Sequence, residues 1–308
     1  MTTKKKRARK GSSMDEAFSR FHPAVNFIFF IAAVVFGMFF VHPVFLVVSV
    51  VCSITYYLLI HGAKGLKFIA VMVVVFIFVT LINPVFNTLG DHVLFTYFGG
   101  RPYTLEALGY GAAIAGMFVS ILVWFGCYNA IMTSDKFTYL FGRFIPSISL
   151  ILTMVLRLVP NYKRHFETLS NARECIGKAP SSADRKEKVA NSITLISALT
   201  SWALEGGVVT GDSMRSRGYG EARRTNFAIY RISVRDKVVT GLMIIAIAAV
   251  AFCMFNGVMH VDYTPVFAIS PITALSIVGI VAYAILLAIP SAIHIMEEAT
   301  WRILRSRI

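Results

Sequence analysis

The chain has 308 residues, 56% of them hydrophobic and 15% charged, against about 45 to 50% apolar and about 25% charged in soluble domains. Its mean hydropathy is +0.69, and several unbroken apolar runs reach the roughly 20 residues that a bilayer core demands. A soluble globule is excluded, and the formal net charge of +14 is read first as a topology signal rather than as a nucleic-acid footprint.

In chain order, residues 1–22 form a basic tail carrying Lys4, Lys5, Lys6, Arg7, Arg9 and Lys10, too polar to bury and expected to be a disordered cytoplasmic segment. The apolar run from Ala24 is as long as a full span and lacks a small-residue cleavage site, so it reads as a mature helix and not as a secretory signal. Six spans are expected, at 24–41, 44–60, 66–82, 108–131, 238–255 and 272–289. His42-Pro43 separates the first two, and Asn83-Pro84 ends the third, because proline cannot continue the hydrogen-bond ladder.

With the N-terminus inside, 29 of the 30 Lys and Arg residues fall on one side, Arg101 being the exception. That asymmetry places both termini in the cytoplasm. The outside connection at 83–107, with Asp91, His92, Arg101 and Glu106, reads as an ordered extracellular loop or a half-helix capping the bundle. His260 and Asp262 in the last outside loop are too isolated for a metal site. Cys52, Cys127, Cys175 and Cys253 lie far apart without a CxxC pair and read as small packing residues.

The organisation expected is therefore a tail at 1–22, transmembrane helices at 23–133, a cytoplasmic module at 134–237, and transmembrane helices with a basic tail at 238–308. The module is too long for a connecting loop. Its 17 basic and 9 acidic residues accompany two substantial apolar segments, which suggests long amphipathic helices at the membrane face.

Within it, Arg143-Phe144-Ile145-Pro146 is echoed fourteen residues later by Arg157-Leu158-Val159-Pro160, and Pro146 and Pro160 are expected to set helix starts or kinks. A polar helix follows Pro160, with Tyr162, Phe166, Leu169 and Arg173 on one face and Gly177 as its cap. A linker at 178–188 leads to a second helix, with Ile193, Ile196, Leu199, Ala203 and Val208 at helical spacing, expected to close at Gly211. Beyond it stands Met214-Arg215-Ser216-Arg217-Gly218-Tyr219. Arginine in such a place forks onto carboxylates with a geometry that lysine lacks, although a lone arginine in a basic loop is more often a topology anchor.

These residues carry a family resemblance. Arg157-Leu158-Val159-Pro160, Ala172-Arg173 and Ser216-Arg217-Gly218 resemble the transmembrane T component of energy-coupling factor (ECF) transporters, whose topology matches essentially the whole chain and whose motifs match roughly 143–220. In that family two short arginine motifs end long coupling helices and dock into grooves of two cytoplasmic ATPases. The matching positions here are Ala172 and Arg173, and Arg215, Ser216, Arg217 and Gly218, with Pro146, Arg157 and Pro160 as structural positions of the coupling helices. Glu174 stands where the family places a small residue or glycine.

The resemblance implies an all-α polytopic bundle in a prokaryotic plasma membrane. Its function would be that of a non-catalytic scaffold, coupling ATP hydrolysis in two ABC-type ATPases to vitamin or metal-ion uptake through a separate S component. The chain has no Gly-x-x-x-x-Gly-Lys-[Ser/Thr] phosphate loop, so no cofactor is expected on it and ATP would be bound by the partners. The bilayer is the remaining partner, and none is expected among nucleic acids, since residues 4–10 lack interleaved aromatics. A conventional ABC permease and a secondary transporter are the rival readings. The first usually couples through one short loop, and the second needs ionisable groups inside its spans, where the six runs hold only Lys67, second residue of the third.

Overall fold

The computed structural model describes residues 18–87, 90, 92–97, 101–142, 146–177, 185–221, 230, 232–257, 261–262, 268–269 and 273–306. Among them the helices are α1 (Pro23–Phe39), α2 (Pro43–His61), α3 (Gly65–Phe86), α4 (Leu105–Ile131), α5 (Ser134–Gly142), α6 (Pro146–Cys175), α7 (Arg185–Ser216), α8 (Val234–Phe255) and α9 (Ala274–Ser306). Two antiparallel strand pairs complete the described elements, β1 (Val93–Tyr97) with β2 (Arg101–Thr104) and β3 (Val261–Asp262) with β4 (Ala268–Ile269). The chain forms two compact units, Met1–Thr133 with Tyr230–Ile308, and Ser134–Ile229.

In the first unit the same device starts two helices. His22 and His42 are N-caps whose Nδ1 atoms accept from the Ala24 and Val44 amides at 3.2 and 3.3 Å, with proline at the first helical position after each. Proline has no N–H to leave unsatisfied there, and its fixed φ suits the first turn. Between α2 and α3 the break is Gly62, whose φ of +57° only glycine adopts readily. Without it, the apolar stretch Pro43–Phe86 of 44 residues would make a rod of about 66 Å, twice the bilayer core.

The contacts define an alternating bundle. Tyr57 on α2 stacks on Phe68 of α3 at 4.8 Å, and its ring fills the space where a Cβ on Gly65 or Gly126 would lie. Gly111 of α4 meets α3 so closely that a Cβ there would sit 2.8 Å from the Asn83 Cβ and 2.9 Å from the Thr80 carbonyl oxygen. Small residues at helix crossings are the usual means of close packing in membranes. Phe29 and Phe30 of α1 meet Trp124 of α4 edge-on, and Phe40 and Phe45 close on Tyr283 of α9. The Ser49 and Ser120 hydroxyls, both buried, bond each other at 2.5 Å and satisfy two polar groups inside the bundle.

One end of this unit gathers the start of α1, the start of α8 and the last turns of α9. Arg20 pairs with Glu297 at 3.0 Å. Asp236 accepts from the Ser233 amide at 2.7 Å in a capping box and from the His22 amide at 3.4 Å.

By length and composition, five helical stretches suffice to cross a membrane: Pro43–Phe86, Leu105–Ile131, Lys188–Ser216, Val234–Phe255 and Ala274–Arg305. Pro23–Phe39 is apolar but shorter. The protein is a multi-pass helical membrane protein. This set differs from the six expected spans by joining α2 and α3 through their turn, by including α7, and by setting α1 apart at 17 residues, about 26 Å of helix.

Several local expectations are corrected. Pro84 does not end α3, which continues to Phe86, because a proline costs only local backbone bonds and the apolar face persists beyond it. The 83–107 connection contains a β-hairpin, pairing Val93 with Thr104 and Tyr97 with Arg101, rather than a half-helix. Aromatic and β-branched residues at 93–97 favour that pairing. The last helix runs far past 289, through Pro290, and carries buried Ser291 and His294 inward. Cys127 and Cys253 are buried, as small packing residues would be, whereas Cys175 is exposed.

Candidate functional site

The second unit supplies the candidate site. Pro146 is the first residue of α6, the position proline suits best. Pro160 lies within the same 30-residue helix, so it neither starts nor ends an element. Arg143, in the first copy of the repeated tetrapeptide, lies outside the described residues, and Arg157 and Pro160 are exposed on α6.

Helices α6 and α7 pack antiparallel through few contacts. Trp202 of α7 meets Tyr162 edge-on at 5.3 Å and lies over His165 at 3.7 Å. Toward the C-terminal end of α6, the Arg173 Nη2 donates to Asn191 Oδ1 at 2.7 Å. Leu195, one turn beyond Asn191, is buried. Elsewhere both helices present large apolar side chains to the surface, including Ile151, Val155 and Val159 on α6 and Ile193, Ile196, Leu204, Val208 and Val209 on α7.

Both helices end on a glycine with positive φ, Gly177 at +75° and Gly218 at +71°. At α7 the Tyr219 amide donates to the Met214 carbonyl at 3.1 Å and the Gly218 amide to the Arg215 carbonyl at 3.0 Å, the two bonds of a Schellman motif. At α6 the Gly177 amide donates to the Glu174 carbonyl at 3.0 Å. The expected stop at Gly211 is therefore wrong: a glycine in a helix interior costs about 1 kcal/mol but does not break the ladder, and α7 runs to Ser216.

These ends display the predicted residues differently. Arg215, Ser216 and Arg217 are exposed around the last turn of α7, and Ser216 Oγ is satisfied by the Asp212 carbonyl at 2.9 Å. Positive side chains at a helix C-terminus also complement its dipole. Ala172 is exposed on α6, but Arg173 sits one turn before Gly177, partly buried and bonded to α7. Arg217 instead directly precedes its glycine. The two arginines are thus not equivalent in placement, and within this unit they are presented at separate helix ends. Asn191 and Trp202 escaped the sequence reading, since only the antiparallel pairing places them opposite Arg173 and Tyr162. An apolar run interrupted by a lone Asn and Trp was the available signal.

No protein-family model matches the chain, and comparison with curated proteins gave no match.

Proposed function

We propose that this protein is the membrane coupling subunit of an ATP-driven importer, similar to the T component of ECF transporters, transmitting motion from two cytoplasmic ATPases to a separate substrate-binding membrane subunit. The observation that carries this reading is the exposed, glycine-terminated arginine end of α7, together with a second arginine-bearing, glycine-terminated helix end on α6. Long helices that meet each other at few points and leave large apolar side chains exposed suit a mechanical linker. A helix bundle without a phosphate loop offers no such site for ATP, so ATP-driven motion would have to come from a partner.

The basic-residue distribution supports a cytoplasmic module. Arg185, Lys186 and Lys188 lie at one end of α7 and Arg215 and Arg217 at the other, so the same side is favoured for both ends, although the helix is long enough to span. The apolar run at 193–209 is the surface assigned to the substrate-binding subunit, and vitamins or metal ions are the expected cargo.

The test is ATP-dependent uptake and ATPase association for Arg217→Ala, Arg173→Ala and the double variant, with Arg302→Ala as a distant charge control. Removing one partner of a buried interfacial ion pair costs about 2 to 5 kcal/mol, so Arg217→Ala should weaken association about a hundredfold while membrane insertion persists. Normal assembly and uptake by the double variant would overturn the reading.

A further inference from the structure

Arg173 is held in an unusual way. A guanidinium keeps its charge and offers five N–H donors in a rigid fork. Here Nη2 reaches the neutral Asn191 Oδ1 at 2.7 Å, while Nε is buried without any hydrogen-bond partner. Among the described residues no carboxylate forms an ion pair with it.

We infer that Asn191 is a positioning residue that holds the Arg173 guanidinium at the α6–α7 junction without neutralising it, leaving the junction ready to take a carboxylate from an acidic partner segment. This rests on the coupling reading above and goes beyond it by assigning a role to Asn191. A side-chain amide can fix the fork without cancelling its charge, and a buried donor left unmade is costly. An arriving carboxylate would gain a charge-assisted bond from the guanidinium, stronger than the bond to the amide. The contacts of Trp202 with Tyr162 and His165 hold the two helices at a second point, so the position of Arg173 does not depend on Asn191 alone. Aspartate at 191 would close the site by supplying an internal counter-ion.

The experiment labels arginines of the full-length protein in lipid nanodiscs with phenylglyoxal, read residue by residue by mass spectrometry, with and without a tetraglutamate peptide. Exposed Arg217 serves as the internal rate reference. In the wild type, Arg173 should label more slowly than Arg217, and tetraglutamate should slow it further, whereas tetraglutamine should not. Asn191→Asp should slow Arg173 labelling about tenfold relative to Asn191, the difference between a neutral and a charge-assisted bond, and abolish protection by the peptide. Asn191→Ala should speed labelling of Arg173 and leave Arg217 unchanged.

Equal labelling of Arg173 in wild type and Asn191→Asp, or protection by tetraglutamate no greater at Arg173 than at Arg217, would overturn the inference. Labelling reads this chain alone, so its failure is separate from a failure of Arg217→Ala to impair uptake, which would instead overturn the coupling reading.

Discussion

His42 illustrates how one side chain sets both a boundary and a pH response. It is buried, accepts from the Val44 amide through Nδ1, and its pKa is lowered from 6.5 by desolvation. The neutral ring is the form that caps, so the unfolded chain binds a proton more readily than the folded one. The stability contributed is present above pH 6.5 and lost as pH falls through that value toward the lowered one. Thermal unfolding in detergent should show this acid sensitivity, and His42→Asn, which keeps an acceptor but cannot titrate, should flatten it. Asp236 gives a second residue-scale expectation. Its carboxylate receives the Ser233 and His22 amides, so Asp236→Ala should cost about 1 to 3 kcal/mol of stability. Asp236→Asn, which retains one acceptor, should cost less; equal melting temperatures for wild type and Asp236→Ala would remove the joint-capping role.

Helix pairs are governed by steric fit and by chain reversals. A Cβ at Gly126 would lie 2.9 Å from Tyr57 Cε2, closer than side chains tolerate. Gly126→Ala should therefore destabilise the protein by about 1 to 3 kcal/mol through overpacking, and the added Tyr57→Leu substitution should recover part of that loss. In the second unit, Trp202→Ala removes both ring contacts between α6 and α7. The expected outcome is faster limited proteolysis of the module with unchanged melting of the bundle, because the two form separate compact units. Loss of the bundle transition in the same variant would show that the units do not unfold independently.

For the whole molecule, alternation of α1, α2, α3, α4, α8 and α9 puts the Gly62–Lys64 turn and the β1–β2 hairpin at opposite ends of the bundle, since α3 runs between them. Single cysteines at Ala63 and at Thr96, in a Cys175→Ser background, should label with a membrane-impermeant maleimide from opposite faces. The basic excess predicts that Ala63 labels only after the membrane is opened. Labelling of both positions from one face would refute the alternating topology.

Much of the membrane architecture was legible as sequence. Continuous apolar runs, His-Pro breaks and a one-sided basic distribution depend on local composition, and composition acts before any tertiary contact forms. Pro84 and Gly211 were misjudged as helix ends because each imposes a local backbone cost that a long helix absorbs, and the hairpin at 93–104, within a connection read as an ordered loop or a half-helix, depends on a strand pairing that no local window contains. The candidate site divided in the same manner. The arginines and the glycines that end α6 and α7 are readable as helix-stop chemistry. That Arg173 turns onto Asn191 while Arg217 stays exposed was decided by the antiparallel pairing of two helices eighteen residues apart at this contact, a juxtaposition that only the tertiary structure supplies.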